Sequence, residues 1–250
     1  MDGTSGPKAN DTEQMGFVRK VLGIVTMQLI GTFIIIIAAA IRPSSKNFDN
    51  CYIANYGIVC LNPFAMICVS VPCQIVSVLV YLISLITLLV SRNLRHSVPA
   101  NYILLTLFTI SLGFVFAGLT AWLTPASVIL SIGVLVATLL GLFGSALLIK
   151  NKRAALKFVM IGILAACILQ VFICFTLIWS NYYYSDNYYW IMYCALGVLI
   201  ASGLIYFDLY IIMLAGKYAM DEYIYCAVLL YVDIMRLLLY ILMIFGKGKK

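Results

Sequence analysis

The 250-residue chain is 64% apolar and 10% charged, with mean hydropathy +1.08 and a formal net charge of +7. A water-soluble domain is about 45–50% apolar and about 25% charged, so these values exclude a soluble fold and call for lipid as the solvent. The basic residues flank apolar runs and form no domain of their own, which points to anionic headgroups and away from nucleic acid.

A spanning helix needs about 20 apolar residues to cross a hydrocarbon core of about 30 Å. Seven stretches meet that length and predict an all-α membrane protein, a seven-transmembrane-helix bundle. Residues 1–20 read as a polar tail, residues 21–246 as the transmembrane domain and residues 247–250 as a basic tail. Asp2, Asp11 and Glu13 fit neither a cleaved signal nor an amphipathic presequence, so the first span, Val21–Ile41, is expected to act as an uncleaved signal. The link that follows holds Cys51 and Cys60, a candidate disulfide if that side is oxidising.

The second span, Phe64–Val90, ends at Arg92, Arg95, His96 and Pro99. The third, Tyr102–Leu123, turns at Thr124-Pro125 into the fourth, Ala126–Ile149. Small residues recur every four positions in the fourth (Gly133, Ala137, Gly141, Ser145) and in the third (Gly113, Ala117, Ala121). Such ladders mark helix–helix faces in lipid, against the plainer reading that Gly and Ala are common in membrane helices. The fifth span is Phe158–Trp179, after Lys150, Lys152, Arg153 and Lys157. The aromatic cluster from Tyr182 to Trp190 reads as an interfacial belt. The sixth and seventh spans are Tyr189–Ala215 and Tyr223–Phe245.

Ten Lys and Arg residues fall on the N-terminal side of these spans and five on the other. This places the N-terminus on the cytosolic or equivalent side. The tail Lys247, Lys249 and Lys250 conflicts with that placement, and a half-inserted last helix would remove the conflict. His96 is the one histidine and sits in a basic link, so no zinc site is expected. Cys68, Cys73, Cys167, Cys174, Cys194 and Cys226 read as small apolar-span residues. No nucleophile–base pair or phosphate loop is found, so neither enzyme activity nor an organic cofactor is expected.

Charge is expensive inside hydrocarbon and marks function. Asp208, Asp233 and Arg236 are the charged residues within the spans. Asp208 lies eight residues before Gly216 and Asp233 eleven after Glu222, which sets them about 12 Å and about 16 Å from one face. On adjacent antiparallel helices the two carboxyls are expected to face each other near the midplane. Two such groups share a proton, or offer oxygens to Ca²⁺ when both are ionised. Arg236, three residues after Asp233, lies on the same helix face. Two readings therefore stay open: a buried ion-pair lock between helices, and a proton- or cation-responsive site.

These residues carry a resemblance. Tyr206-Phe207-Asp208, Asp221-Glu222-Tyr223-Ile224, Tyr231-Val232-Asp233 and Ile244-Phe245-Gly246 occur in the order seen in the transmembrane Bax inhibitor-1 motif family, which includes Bax inhibitor-1 and the lifeguard proteins. Gly16-Phe17-Val18-Arg19-Lys20-Val21, Gln28-Leu29, Val98-Pro99-Ala100-Asn101-Tyr102, Phe108-Thr109 and Ser111 resemble lifeguard sequences as well. The resemblance implies seven helices around a central last one and a pH-sensitive Ca²⁺ or cation leak gated at the Asp208–Asp233 pair. It also implies a closed-state latch at Arg92 or Arg95 and a link to protection from cell death. Two positions depart from the pattern: Leu209-Tyr210 replaces Thr-Gln, and Arg236 replaces Asn. A fixed positive charge beside the pair repels cations, which keeps a second function open: a non-conducting accessory subunit of a larger membrane complex. The partners expected are membrane lipids and, on the second reading, complex subunits. The membrane expected is the endoplasmic reticulum or another endomembrane, with the mitochondrial inner membrane as the alternative.

Overall fold

The computed structural model describes residues 11–41, 51–54, 57–60, 62–148, 188–213 and 222–246. Eight helices and one hairpin are formed among them. In chain order they are α1 (Asp11–Ala40), β1 (Cys51–Ala54), β2 (Gly57–Cys60), α2 (Pro63–Val69), α3 (Val71–Val90), α4 (Arg92–His96), α5 (Ala100–Thr120), α6 (Pro125–Leu148), α7 (Tyr188–Met213) and α8 (Tyr223–Phe245). Four segments among the described residues are long and apolar enough to cross a membrane: Gly16–Ala40, Val71–Val90, Ala100–Thr120 and Tyr223–Phe245. Pro125–Gly141 and Cys194–Leu209 are shorter apolar stretches of α6 and α7. The expected fifth span, Phe158–Trp179, lies outside the described residues, as do the Lys150–Lys157 link and most of the aromatic cluster.

Three expectations are corrected. The run Phe64–Val90 is two helices, because Pro72 cannot continue α2: it has no N–H for the Cys68 carbonyl four residues back and its ring would clash there, so the chain breaks at Ser70, which turns at φ −58°, ψ 131°. Proline then sits in the first turn of α3, where its missing N–H is harmless. The N-terminal segment is helical from Asp11, so α1 runs on through residues read as a polar tail. The link between the first two spans folds as a hairpin that an all-α reading omitted, with Cys51 opposite Cys60 and Ala54 opposite Gly57 in its register.

The last helix is central. α8 packs against α7, α1, α6 and α3, and Leu230, Tyr231, Ile234 and Leu238 on it are fully buried. α5 forms a second axis against α1, α2 and α3. The small residues of α5 serve close packing. Ala117 and Ala121 are fully buried, and a Cβ on Gly113 would stand 2.9 Å from Ile35 Cδ1. Gly118 receives the Gln74 side chain, whose amide donates to the carbonyls of Cys68 (2.5 Å) and Phe114 (3.1 Å) and so ties the α2–α3 break to α5. The ladder of α6 does not behave this way. Gly133, Ala137 and Gly141 are exposed, and nothing lies within 4 Å of a Cβ built on either glycine. The buried stripe of α6 is Val128, Ser131, Leu135 and Leu139.

Candidate functional site

α7 and α8 are antiparallel. Cys194 meets Met243 (Sγ to Sδ 3.8 Å), Gly197 packs under the Tyr240 ring, and further along α7 Asp208 meets Asp233. Small Gly197 permits the close approach, since any side chain there would strike Tyr240. The register brings the two carboxyls within hydrogen-bonding reach of each other. Asp233 is ten residues into the 23-residue α8, about 15 Å along it, so the pair lies near mid-helix.

The two acids differ in their partners. Arg236 NH1 donates to Asp233 Oδ1 at 3.1 Å, one turn along the same helix face. Asp208 Oδ2 is buried and has no hydrogen-bond partner among the described residues. The Asp233 side chain is 14% exposed and that of Arg236 is 45% exposed. Asp233 therefore turns inward, while Arg236, which costly burial of charge would also turn inward, is exposed. Its guanidinium reaches out of the helix pack and folds back on Asp233, because a long side chain can hold its head away from its backbone.

Two carboxyls offer at most four oxygens, against the six to eight that Ca²⁺ takes. One of those oxygens already accepts from Arg236. The residues thus fit a transient seat for a part-hydrated cation better than a permanent cage.

The expected latch residues lie elsewhere. Arg92 Nε is 3.4 Å and Arg95 NH2 3.7 Å from Glu222 Oε1, at the start of α8. Arg95 is buried; its NH1 donates to the Leu88 (3.0 Å) and Leu89 (2.7 Å) carbonyls, and its guanidinium lies 5.0 Å from the Tyr225 ring centre. It satisfies carbonyls left open at the end of α3, where the helix dipole favours a cation. Both arginines therefore join α3–α4 to α8 through Glu222. The register of the hairpin sets Cys51 and Cys60 opposite each other, and their side chains are outside the described residues.

Sequence reasoning gave no role to the polar bonds that fasten α8 and α5 to α1. Thr32 Oγ1 and Tyr231 OH are 2.6 Å apart in the core, and Gln28 Nε2 donates to Thr109 Oγ1 at 2.9 Å. Tyr81, Phe108 and Tyr231 form a ring stack across α3, α5 and α8, with successive centroids 5.6 Å apart. A polar side chain within an apolar span was the available signal for these contacts.

A family model described as "Inhibitor of apoptosis-promoting Bax1" matches residues 14–250. The chain is 28% identical over 238 residues to Protein LIFEGUARD 3 of Arabidopsis thaliana, covering 93% of this chain and 85% of that protein. It is 29% identical over 233 residues to Protein LIFEGUARD 4 of the same plant, covering 92% and 84%. No solved structure matches it at a significant level.

Proposed function

We propose that this chain, which belongs to the Bax inhibitor-1 family, is a multi-pass membrane protein that leaks Ca²⁺ or another cation through a pH-sensitive Asp208–Asp233 site. The observation that carries the reading is the unpartnered Asp208 Oδ2, buried beside a second carboxyl. In a lock between helices an acceptor left open is a pure cost, because burying one without a donor destabilises by about 1–3 kcal/mol. A site that exchanges protons and cations needs such an acceptor. One proton shared between the acids keeps the pair at a single negative charge. Its loss leaves two carboxylates, which attract a cation into low dielectric. The membrane is the endoplasmic reticulum or another endomembrane, and the leak is how the chain acts on cell survival.

The test is Ca²⁺ flux into liposomes holding purified full-length protein. The parent should conduct with a pH-dependent rate, and Asp208→Asn and Asp233→Asn should each abolish both flux and pH response. Parent flux unchanged by either substitution sinks the proposal.

Arg236 favours a second reading. Its bond to Asp233 supplies a positive charge next to the pair, as an accessory subunit with a silent site would have. On this reading the parent does not conduct and co-purifies with other membrane subunits, and Arg236→Asn destabilises the chain without starting a leak. If Arg236 is instead a brake on conduction, Arg236→Asn increases flux.

A further inference from the structure

α1 and α5 start on the same side of the fold and close together at Ile35 and Gly113, where a Cβ on the glycine would stand 2.9 Å from Ile35 Cδ1. Toward their N-terminal ends they part. Nothing lies within 4 Å of a Cβ built on Gly23 or Gly31, and an apolar groove of about 410 Å³ opens between the helices. The groove runs from Gly23 to Ile35 on α1, about 18 Å of helix. One leaflet of hydrocarbon is about 15 Å deep, half of the bilayer core. Gln28, 5% exposed, and Thr109 bond to each other in its wall, and Gln28 Oε1 has no partner there.

The mouth of the groove is polar and basic. Lys20 is exposed on the same stripe of α1 as Ile24, Met27 and Gly31, spaced three or four residues apart. Its ammonium lies 5.9 Å from the Tyr223 ring centre, and Tyr223 OH is 3.3 Å from the hydroxyl of Tyr102, a groove residue. A wedge one leaflet deep with a cation and a tyrosine hydroxyl at its wide end has the shape and charge order of a single lipid. We propose that the α1–α5 groove binds an anionic phospholipid, with one acyl chain between Gly23 and Ile35 and the phosphate at Lys20. Bound there, the lipid fills the open side of the groove in front of the Gln28–Thr109 bond that joins the two helices.

The test uses full-length protein in mild detergent, exposed to equal phosphatidylserine and phosphatidylcholine, with retained lipid counted by native mass spectrometry. One lipid should stay bound, with phosphatidylserine favoured about fivefold, the effect of one lysine near an anionic headgroup. Lys20→Gln should keep the lipid and bring the preference to parity. Gly31→Leu projects into open groove, so it should melt like the parent and lose the lipid. Separately, phosphatidylserine with a photoreactive acyl chain should label the parent at Met27 or Ile110. Absence of a headgroup preference in the parent, full retention in a folded Gly31→Leu, or labels spread evenly over exposed α3 overturns the proposal.

Discussion

Two clusters of acid and arginine sit on α8 about sixteen ångströms apart along its axis, and they are finished differently. At the start of the helix, Glu222 takes two arginines, and the buried Arg95 also serves two carbonyls and lies against Tyr225. At mid-helix, Asp233 takes one arginine while its neighbour Asp208 keeps a buried oxygen with no partner. The first cluster is built as a joint. The second leaves a buried acceptor open where water is scarce, and an ionisable group kept there at such cost marks a candidate site for a proton or cation. Identical residue types thus divide by their counter-charges: Glu222 draws two arginines and Asp208 none, although Arg95 Nε in the first cluster is also buried without a hydrogen-bond partner among the described residues.

Removing the centre of the joint should cost the most stability. Arg95→Ala leaves Glu222 short of a partner and two α3 carbonyls open. A destabilisation of about 3–5 kcal/mol is expected, as for one partner of a buried pair, read as a loss of thermal stability in detergent. Arg95→Lys should recover only part, since a point ammonium cannot serve both carbonyls and the carboxylate as a planar fork does. A melting curve for Arg95→Ala that overlays the parent would remove the joint.

At the midplane the expected sign reverses. Asp208→Asn keeps the shape, removes a charge and supplies a donor for Asp233. It should raise stability by about 1 kcal/mol, at the low end for relieving an unsatisfied buried group, while Ca²⁺ flux is lost. Stability and function moving in opposite directions identifies a site; both falling together identifies a second joint. The two readouts come from one preparation, melting temperature and liposome flux.

The division was only partly legible in the sequence. α8 appeared with its observed ends because Glu222 and Gly246 interrupt an apolar run, and Asp208 and Asp233 stood out because they are acids inside such runs. The break at Ser70 was missed because hydropathy counts Pro72 as one more residue of an apolar stretch, while its missing N–H and its ring stop α2 from continuing past the Cys68 carbonyl. The α6 ladder misled because spacing fixes which residues share a face and says nothing of what that face meets. The partner of Arg95 is far away in sequence, so no local pattern joins it to Glu222. The core bond between Thr32 and Tyr231, 199 residues apart, was hidden for the same reason.

That core bond joins α1 to α8 without any charge. Thr32→Val, Tyr231→Phe and the double variant form a cycle around the 2.6 Å contact. A coupling of about 0.6 kcal/mol is expected, the average for interhelical hydrogen bonds in a membrane protein. Coupling as large as the Arg95→Ala effect would mean that uncharged bonds, and not the ionic joint, hold α8 in place.

The smallest effect belongs to Arg92. It approaches the same carboxylate as Arg95, at 3.4 Å, with its side chain 67% exposed. Proximity to Glu222 would rank it above Arg95, whose own nitrogen is 3.7 Å away. Solvation reverses that order. An exposed ion pair exchanges favourable water contacts for a weak attraction and orders a long side chain, so such pairs contribute about 0–1 kcal/mol. Arg95 is already desolvated and has further partners that its loss would strand. Arg92→Ala should therefore melt within a few degrees of the parent, and the small difference should shrink between low salt and about 1 M salt, where the screening length falls to about 3 Å. The Arg95→Ala deficit should persist at both salt concentrations. Equal, salt-sensitive losses for the two arginines would show that Arg95 acts through its charge on Glu222 alone, and that the carbonyls of α3 contribute nothing to the joint.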